Sequence, residues 1–382
     1  MLEKHPYMKI FLKITACFVI AAVITGLMYV FVWQFHKEPS KLTPPPPCLL
    51  ECQNGGICIN YQCRCTEYYT GDLCTQENFC KAQRIHDDNG NWYEFEIILV
   101  GMYGYSFELC DNTSVNANIP RATVQCVKNG SNLILGPIRT QTCDENLETL
   151  ANKTQIDIEN AKQVAATTQI LTSEPKSLQA ENITNAIIIV NRLLTLPNAT
   201  EDVGQSAVAT VSQIMSANDK EFKDDKVNET ESLTRKMEAY SVNIGNDTFS
   251  VVQPNVAVEK RTLSPGNQNG IMFMSLRGLE GNENLISNRV IVDNNTSEFV
   301  LNETADVQIF IKPAENADND IAVGFVLYQN DNLFKSSHER TLTYRKRVIS
   351  ANISNGIHAN VEFSFSQRVC FCTLVNITSL VV

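Results

Sequence analysis

The sequence predicts a multidomain chain: an N-terminal membrane helix, two cysteine-stapled modules, and an α+β unit in which a helical layer precedes a β-sandwich. Three observations carry that reading. An uncharged apolar run lies near the start, ten cysteines crowd between Cys48 and Cys143, and the apolar period changes from helical to strand-like near Tyr240. At 382 residues with 43% hydrophobic content, the chain has room for several domains and a sizeable core, which argues against disorder throughout. The formal net charge is −11 and no long basic run lies beyond the N-terminus, so nucleic acid is not an expected partner.

The first element is "ITACFVIAAVITGLMYVFVW", residues 14–33, preceded by Lys4, Lys9 and Lys13. As a helix it would span roughly 30 Å, the thickness of a bilayer's hydrocarbon core. It ends in Tyr29, Phe31 and Trp33, which suit an interfacial belt better than a small-x-small cleavage site. We read it as an uncleaved signal anchor with residues 1–13 cytoplasmic; a cleaved signal peptide is the alternative, and a buried core helix is the bland one. Everything beyond Trp33 then faces the lumen or the exterior. Twelve Asn-x-Ser/Thr sequons agree with that side of the membrane: Asn112, Asn129, Asn152, Asn182, Asn198, Asn228, Asn246, Asn294, Asn295, Asn302, Asn352 and Asn376. Cysteine parity agrees too. With Cys17 inside the membrane run, the other twelve form an even set suited to an oxidising compartment.

Residues 34–47 include "EPSKLTPPPPC" up to its cysteine, and their prolines favour an extended stalk. Residues 48–74 then place six cysteines, Cys48, Cys52, Cys58, Cys63, Cys65 and Cys74, in a run too short for a hydrophobic core. Disulfides must stabilise it. Six cysteines allow fifteen pairings, and a thiolate zinc site fits poorly outside a reducing cytosol. Residues 79–143 hold Cys80, Cys110, Cys126 and Cys143 among aromatic, Gly-containing segments such as "NWYEFEIILVGMYGYSFELC". They form a second module, its four cysteines paired among themselves in one of three ways.

From Asp144 to Tyr240 cysteines vanish and apolar residues recur at helical spacing. "DENLETLANKTQIDIENAKQVAATTQIL" puts Leu147, Leu150, Ile158, Ala161, Val164 and Ala165 on one side. A break at Ser173-Glu-Pro-Lys follows, with Ser173 as N-cap and Pro175 at the second helical position. Later helices carry Ile183, Ile187, Val190 and Leu194; Val203, Ala207, Val211 and Ile214; and Leu233, Met237 and Tyr240. Four such helices make an antiparallel layer whose stripes are core. From 241 to 382, "FSVVQPNVAVEK", "GIMFMSLRG", "NRVIVDN", "DVQIFIKP", "IAVGFVLYQN", "RKRVISANI" and "HANVEFSFS" are short, β-branched or aromatic, and bounded by Asn/Gly/Asp turns. They predict a β-sandwich.

The first cysteine run, with "NGG" before Cys58 and the spacing C-x-C-x5-G-x2-C, resembles an epidermal-growth-factor-like (EGF-like) module. That resemblance implies Cys48–Cys58, Cys52–Cys63 and Cys65–Cys74. The calcium-binding subclass carries acids before its first cysteine; Pro44 to Pro47 stand there, so calcium is not expected. The second run resembles, more weakly, the hormone-receptor-like modules of membrane receptors. The whole order resembles the ectodomain of an adhesion G-protein-coupled receptor of subfamily G, supported by "NFCKAQ", "CDENLETL", "LQAENITNA", "TVSQIM", "MEAYSVNIGN", "VVQPNVAV" and "GFVLYQNDNLFKS". The resemblance runs from about Cys48 to about Ser366. It implies that 144–240 and 241–382 are the two subdomains of a GPCR-autoproteolysis-inducing (GAIN) domain, A and B.

Such domains usually continue into a Cys- and Trp-rich cleavage motif, a tethered strand and seven membrane helices. Here only the C-x-C of Cys370 and Cys372 remains, followed by "TLVNITSLVV" without His. We therefore expect an incomplete β-sandwich with a bare strand edge, no self-cleavage, and two cysteines of doubtful pairing. No G-x-S-x-G, H-E-x-x-H or phosphate-loop pattern occurs, so neither an enzyme nor a cofactor is expected. His338 and His358 read as turn histidines, so no metal is expected either, and "TYRKRV" reads as a solvated basic strand edge, with a heparin-like contact as the alternative. The expected function is extracellular recognition at the plasma membrane, held there by residues 14–33, for a protein or matrix ligand. Truncation would add retention in the endoplasmic reticulum, and a G protein would be engaged only in a longer form. The alternative is a membrane-anchored EGF-like ligand or decoy acting in trans.

Overall fold

The computed structural model describes residues 50–374, apart from 60, 154, 223–226, 246, 265–268, 280–283, 303, 314–319, 335–346, 355–358 and 366–372. The proposed anchor 14–33, the stalk 34–47, Cys48, Cys370, Cys372, His338 and His358 therefore lie outside the described residues. Among the described residues, no helix is long and apolar enough to cross a membrane. Among the described residues, 51–58 and 62–374 cluster into one compact unit, which the following paragraphs describe.

The N-terminal part is built from short strands. These are β1 (Ile57–Ile59), β2 (Gln62–Arg64), β3 (Tyr69–Thr70), β4 (Gln76–Glu77), β5 (Phe79–Cys80), β6 (Gln83–His86), β7 (Trp92–Phe95) and β8 (Ile98–Leu99). They continue with β9 (Tyr103–Tyr105), β10 (Ala122–Asn129), β11 (Asn132–Leu135) and β12 (Arg139–Thr140). β10 is the organiser: β9, β11 and β12 all pair with it, while β5 pairs β8 and β6 pairs β7. Phe95, Val124 and the cystine carbons of Cys80 and Cys126 fill a small core.

Five helices follow: α1 (Leu147–Ala151), α2 (Ile158–Leu171), α3 (Ala180–Leu194), α4 (Glu201–Met215) and α5 (Val227–Asn243). The stretch read as one helix from Leu147 is two. Asp157 forms a capping box with Asn160, which starts α2 afresh, and Arg192 of α3 donates to the freed carbonyls of Ala151 and Lys153 at 2.8 and 2.9 Å. Ile158 consequently opens a helix instead of lying on the buried stripe, and it is exposed. Pro175 begins a 3₁₀ turn, Pro175–Ser177, and the next helix waits until Ala180.

The strands that follow are β13 (Thr248–Gln253), β14 (Val256–Leu263), β15 (Gly270–Leu276), β16 (Val290–Thr296) and β17 (Ala305–Pro313). Then come β18 (Ile321–Tyr328), β19 (Val348–Ile353), β20 (Ala359–Phe365) and β21 (Thr373–Leu374). "FSVVQPNVAVEK" folds as a hairpin around Pro254–Asn255. One sheet runs β13-β14-β18-β19-β21, the other β16-β15-β17-β20. The strand edge expected to be bare is partly covered: the tail pairs in parallel with β19, Val348 opposite Thr373 and Ile349 opposite Leu374.

The five-stranded sheet is buried on both faces. Val256, Val258, Val326 and Tyr328 pack under the helices, while Ala257, Val323, Phe325 and Leu327 face the four-stranded sheet, where Phe325 stacks on Phe273 at 5.1 Å. Gly324 lets α5 come this close. A Cβ there would sit 2.2 Å from Ser241 Oγ and 2.7 Å from the Ser241 carbonyl carbon. The C-terminal end of α4 is closed from the sheet side, where Asn332 and Asn330 donate to the Met215 carbonyl and Asn255 to that of Ser212.

Glu259 of β14 is buried beside Ser250, whose hydroxyl donates to it at 2.6 Å; Arg261 Nη1 lies 3.2 Å from Oε2, an ion pair without hydrogen-bond alignment. Burial outweighs both partners and pushes its carboxyl up to about 7. Because the folded value lies above the unfolded one, the folded state takes up a proton, and stability falls as pH rises from about 4.5 through about 7.

Two outcomes are expected. Gly324→Val overpacks the α5 contact and should lower the unfolding free energy by about 1–3 kcal/mol in urea titrations; an unchanged midpoint would show that α5 can slide. Glu259→Gln should flatten the loss of stability between pH 4.5 and 7 and melt higher than the parent at pH 8.

Candidate functional site

The two cysteine modules are held by four cystines whose members are both described: Cys52–Cys63, Cys65–Cys74, Cys80–Cys126 and Cys110–Cys143. Cys58 is disulfide-bonded as well, while Cys48 lies outside the described residues. Cys80–Cys126 ties β5 to β10, and Cys110–Cys143 fastens the 106–110 segment to the chain entering α1. Tyr68 and Tyr69 both set their rings edge-on to Phe79, so the first module lies against the second through aromatic contact.

Both modules are fixed to the α+β unit. Tyr105 reaches between the helices, where its hydroxyl accepts from Gln169 Nε2 at 2.9 Å and from Gln213 Nε2. Burial pushes this phenol well above its usual range. Arg139 pairs with Asp202 at 2.9 Å and donates to Ser206 at 3.0 Å. From the sandwich, the 285–289 segment points both ways. Leu285 belongs to the sandwich core, and the next residue, Ile286, belongs to the core of the second cysteine module. Ser287 donates to the Val100 carbonyl at 3.2 Å, Asn288 to Tyr69 at 3.3 Å and Arg289 to Cys65 at 3.4 Å.

A cleft of about 1170 Å³ opens where the modules meet, lined by Glu77, Phe79, Lys81, Gln83, Lys128 and Asn132 among others. Gly130 and Ser131 of the Asn129 sequon stand on its rim. Among the described residues, no cluster of His, Cys, Asp and Glu is arranged to hold a metal.

The sequons divide by burial. Asn112, Asn129, Asn152, Asn198, Asn294 and Asn295 are exposed, and Asn182 and Asn302 are half-buried. Asn352 on β19 is different. It is half-buried against α5, its Nδ2 lying 3.5 Å from the Glu238 carbonyl while Ser350 donates to the Glu238 carboxylate at 2.9 Å. Asn246, Asn376 and the side chain of Asn228 lie outside the described residues. From Cys48 to Asp111 the sequence has no sequon, so both modules up to β9 offer protein surface without a sugar acceptor.

Sequence reasoning located the cysteines but missed Tyr105, Arg139 and Ile286. Each is an isolated residue whose partner lies far along the chain, and no local period marks it.

Comparison with known proteins gives three family models that match in chain order. Residues 58–141 match the family model described as GPR128, N-terminal domain, a stretch that begins at Cys58 within the first cysteine run and continues into the second. Residues 147–242 match GPR128, GAIN subdomain A, and 250–366 match GPR128 GAIN subdomain B. The chain is 28% identical over 346 residues to the adhesion G-protein coupled receptor G7 of Mus musculus, covering 88% of this chain and 42% of that receptor. To the Homo sapiens receptor of the same name it is 30% identical over 376 residues, covering 92% of this chain and 44% of that receptor. It thus spans less than half the length of either. The solved full extracellular region of zebrafish Gpr126/Adgrg6 aligns with a TM-score of 0.41 and 13% identity, over 72% of this chain and 35% of that one. With a helical layer over a β-sandwich, and three matching models in chain order, the chain belongs to the adhesion G-protein-coupled receptors of subfamily G, to whose ectodomain it corresponds.

Proposed function

We propose that this chain is the extracellular recognition and adhesion region of its receptor, with the two cysteine modules facing a protein or matrix ligand. The first reads as EGF-like and the second as hormone-receptor-like. The observation that carries the proposal is the sequon-free run from Cys48 to Asp111, whereas the second module beyond it carries Asn112 and Asn129 and the α+β base the other acceptors. In this reading the base orients and spaces, and the modules touch the ligand. Residues 14–33 would anchor the chain in the plasma membrane, and G-protein signalling would belong to the whole receptor.

Glycan occupancy is expected to follow exposure. Mass-spectrometric mapping of the cell-surface chain should find sugar on Asn112, Asn129, Asn152 and Asn198 and none on Asn352, whose amide faces α5. A fully occupied Asn352 would contradict that placement. For recognition itself, the immobilised full chain should retain cells or matrix, and antibodies against residues 50–143 should abolish retention. Blocking only by antibodies against the helical layer would overturn the reading.

A further inference from the structure

We infer that the outer face of the β6–β7 hairpin, with the adjoining 107–109 segment, is a docking surface for a protein partner presenting lysine or arginine beside aliphatic or aromatic side chains. The inference rests on the reading of the cysteine modules as the ligand-facing part, and narrows it to one face and one partner chemistry.

Three extended segments lie side by side. In the β6–β7 register Arg84 stands opposite Glu94 and His86 opposite Trp92. Tyr93 and Phe95 turn inward and are buried, so Trp92 and Glu94 turn outward. The 106–110 segment joins the free side of β7 through Phe107 N–H, which donates to the Glu94 carbonyl at 3.0 Å. Ser106 and Cys110 are buried there, leaving Phe107 and Leu109 outward. Trp92, Phe107 and Leu109 are 51%, 56% and 45% exposed, large apolar side chains gathered on one surface.

Trp92 is also held in place. The Arg84 guanidinium lies 5.6 Å from its ring centroid, and His86 meets it edge-on at 5.2 Å. A tryptophan already restricted in this way loses less freedom when a partner closes over it.

Charge selects the partner. Glu94 stands in the middle of the face, and Glu108 is fixed at its border by the Glu94 N–H at 3.0 Å. Asp88, Glu96 and Asp111 are exposed around it. Against them stand Arg84, engaged over Trp92, and Arg121. A basic partner surface is complementary to this face. A second copy of the chain, at net charge −11, is repelled, and so are nucleic acid and anionic lipid. No sequon falls on the three segments of the face; the exposed Asn112 sequon follows Asp111 at its border, whereas Gly130 and Ser131 of the Asn129 sequon line the cleft itself.

The test is selection of a random peptide phage library on the immobilised full chain. Enriched peptides should combine Lys or Arg with Leu, Ile, Phe or Trp. Their affinity should fall at least tenfold on Trp92→Ala with Phe107→Ala, and on Glu94→Asn with Glu96→Thr, which builds a sequon at the centre of the face. The second pair changes only outward positions, so it decides the matter if the first fails to reach the cell surface. Glu94→Lys with Glu96→Lys should turn the selection toward acidic peptides. No enrichment, acidic peptides on the parent chain, or binding indifferent to the added glycan would each overturn the proposal. If antibodies against residues 50–143 block cell retention while the added glycan does not, the face is wrong and the modules remain the recognition part. If neither blocks, both readings fail.

Discussion

Everything described depends on a sheet that must satisfy two neighbours at once. β14 and β18 pack against helices on one side and against a second sheet on the other, so nearly every side chain on them is committed to a core. The run "IAVGFVLY" meets that demand with side chains of both faces apolar, and Gly324 marks the point where α5 needs the space of a Cβ. A sheet buried twice leaves no room for a charge without consequence. Glu259 illustrates this, since burial overrides a hydroxyl and a guanidinium within reach of its carboxylate.

The second organising fact is that the cysteine modules do not hang from the α+β unit as beads on a thread. Tyr105 enters the helical layer, and Leu285 and Ile286, adjacent in sequence, supply different cores. Disulfides hold each module together internally, because modules of this size bury too little apolar surface alone. Their attachment is made by side chains. The outward aromatic face on β6 and β7 is therefore presented from a fixed platform, and its orientation is set by the helices and the sandwich.

The sequence was informative wherever a local pattern encodes the outcome. Cysteine crowding marked the modules, the stripes through Ile183, Ile187, Val190 and Val203, Ala207, Val211 marked α3 and α4, and the continuous apolar run marked β18. It misled where a short polar break decides. The stripe continued from Leu150 to Ile158 on paper, but the capping box at Asp157 restarts the helix out of phase. It was silent on contacts between distant segments: Tyr105 with Gln169 and Gln213, or Ile286 in the module core, have no periodic signature. The pairing of Cys80, Cys110, Cys126 and Cys143 was likewise undetermined, because spacing alone does not say which strands become neighbours. The outward face was half legible: the segment holding Trp92 stood out as aromatic, yet the alignment of Trp92 with Phe107 and Leu109 depends on a strand junction that no repeat announces.

The seam under the first module differs in quality from the one under the second. Asn288 Oδ1 and Arg289 Nη1 are shut away from water there without hydrogen-bond partners, a penalty of about 1–3 kcal/mol for each. Around Tyr105 the phenol oxygen accepts two amide hydrogens, and Gln169 Oε1 is the buried atom left without a partner there. Prying the first module loose rehydrates two polar atoms and breaks the bonds from Asn288 to Tyr69 and from Arg289 to Cys65, whereas prying the second loose rehydrates Gln169 Oε1 and breaks the two bonds to Tyr105. Under heat or tension the first cysteine module is accordingly the part to loosen, and the strand-rich second module follows.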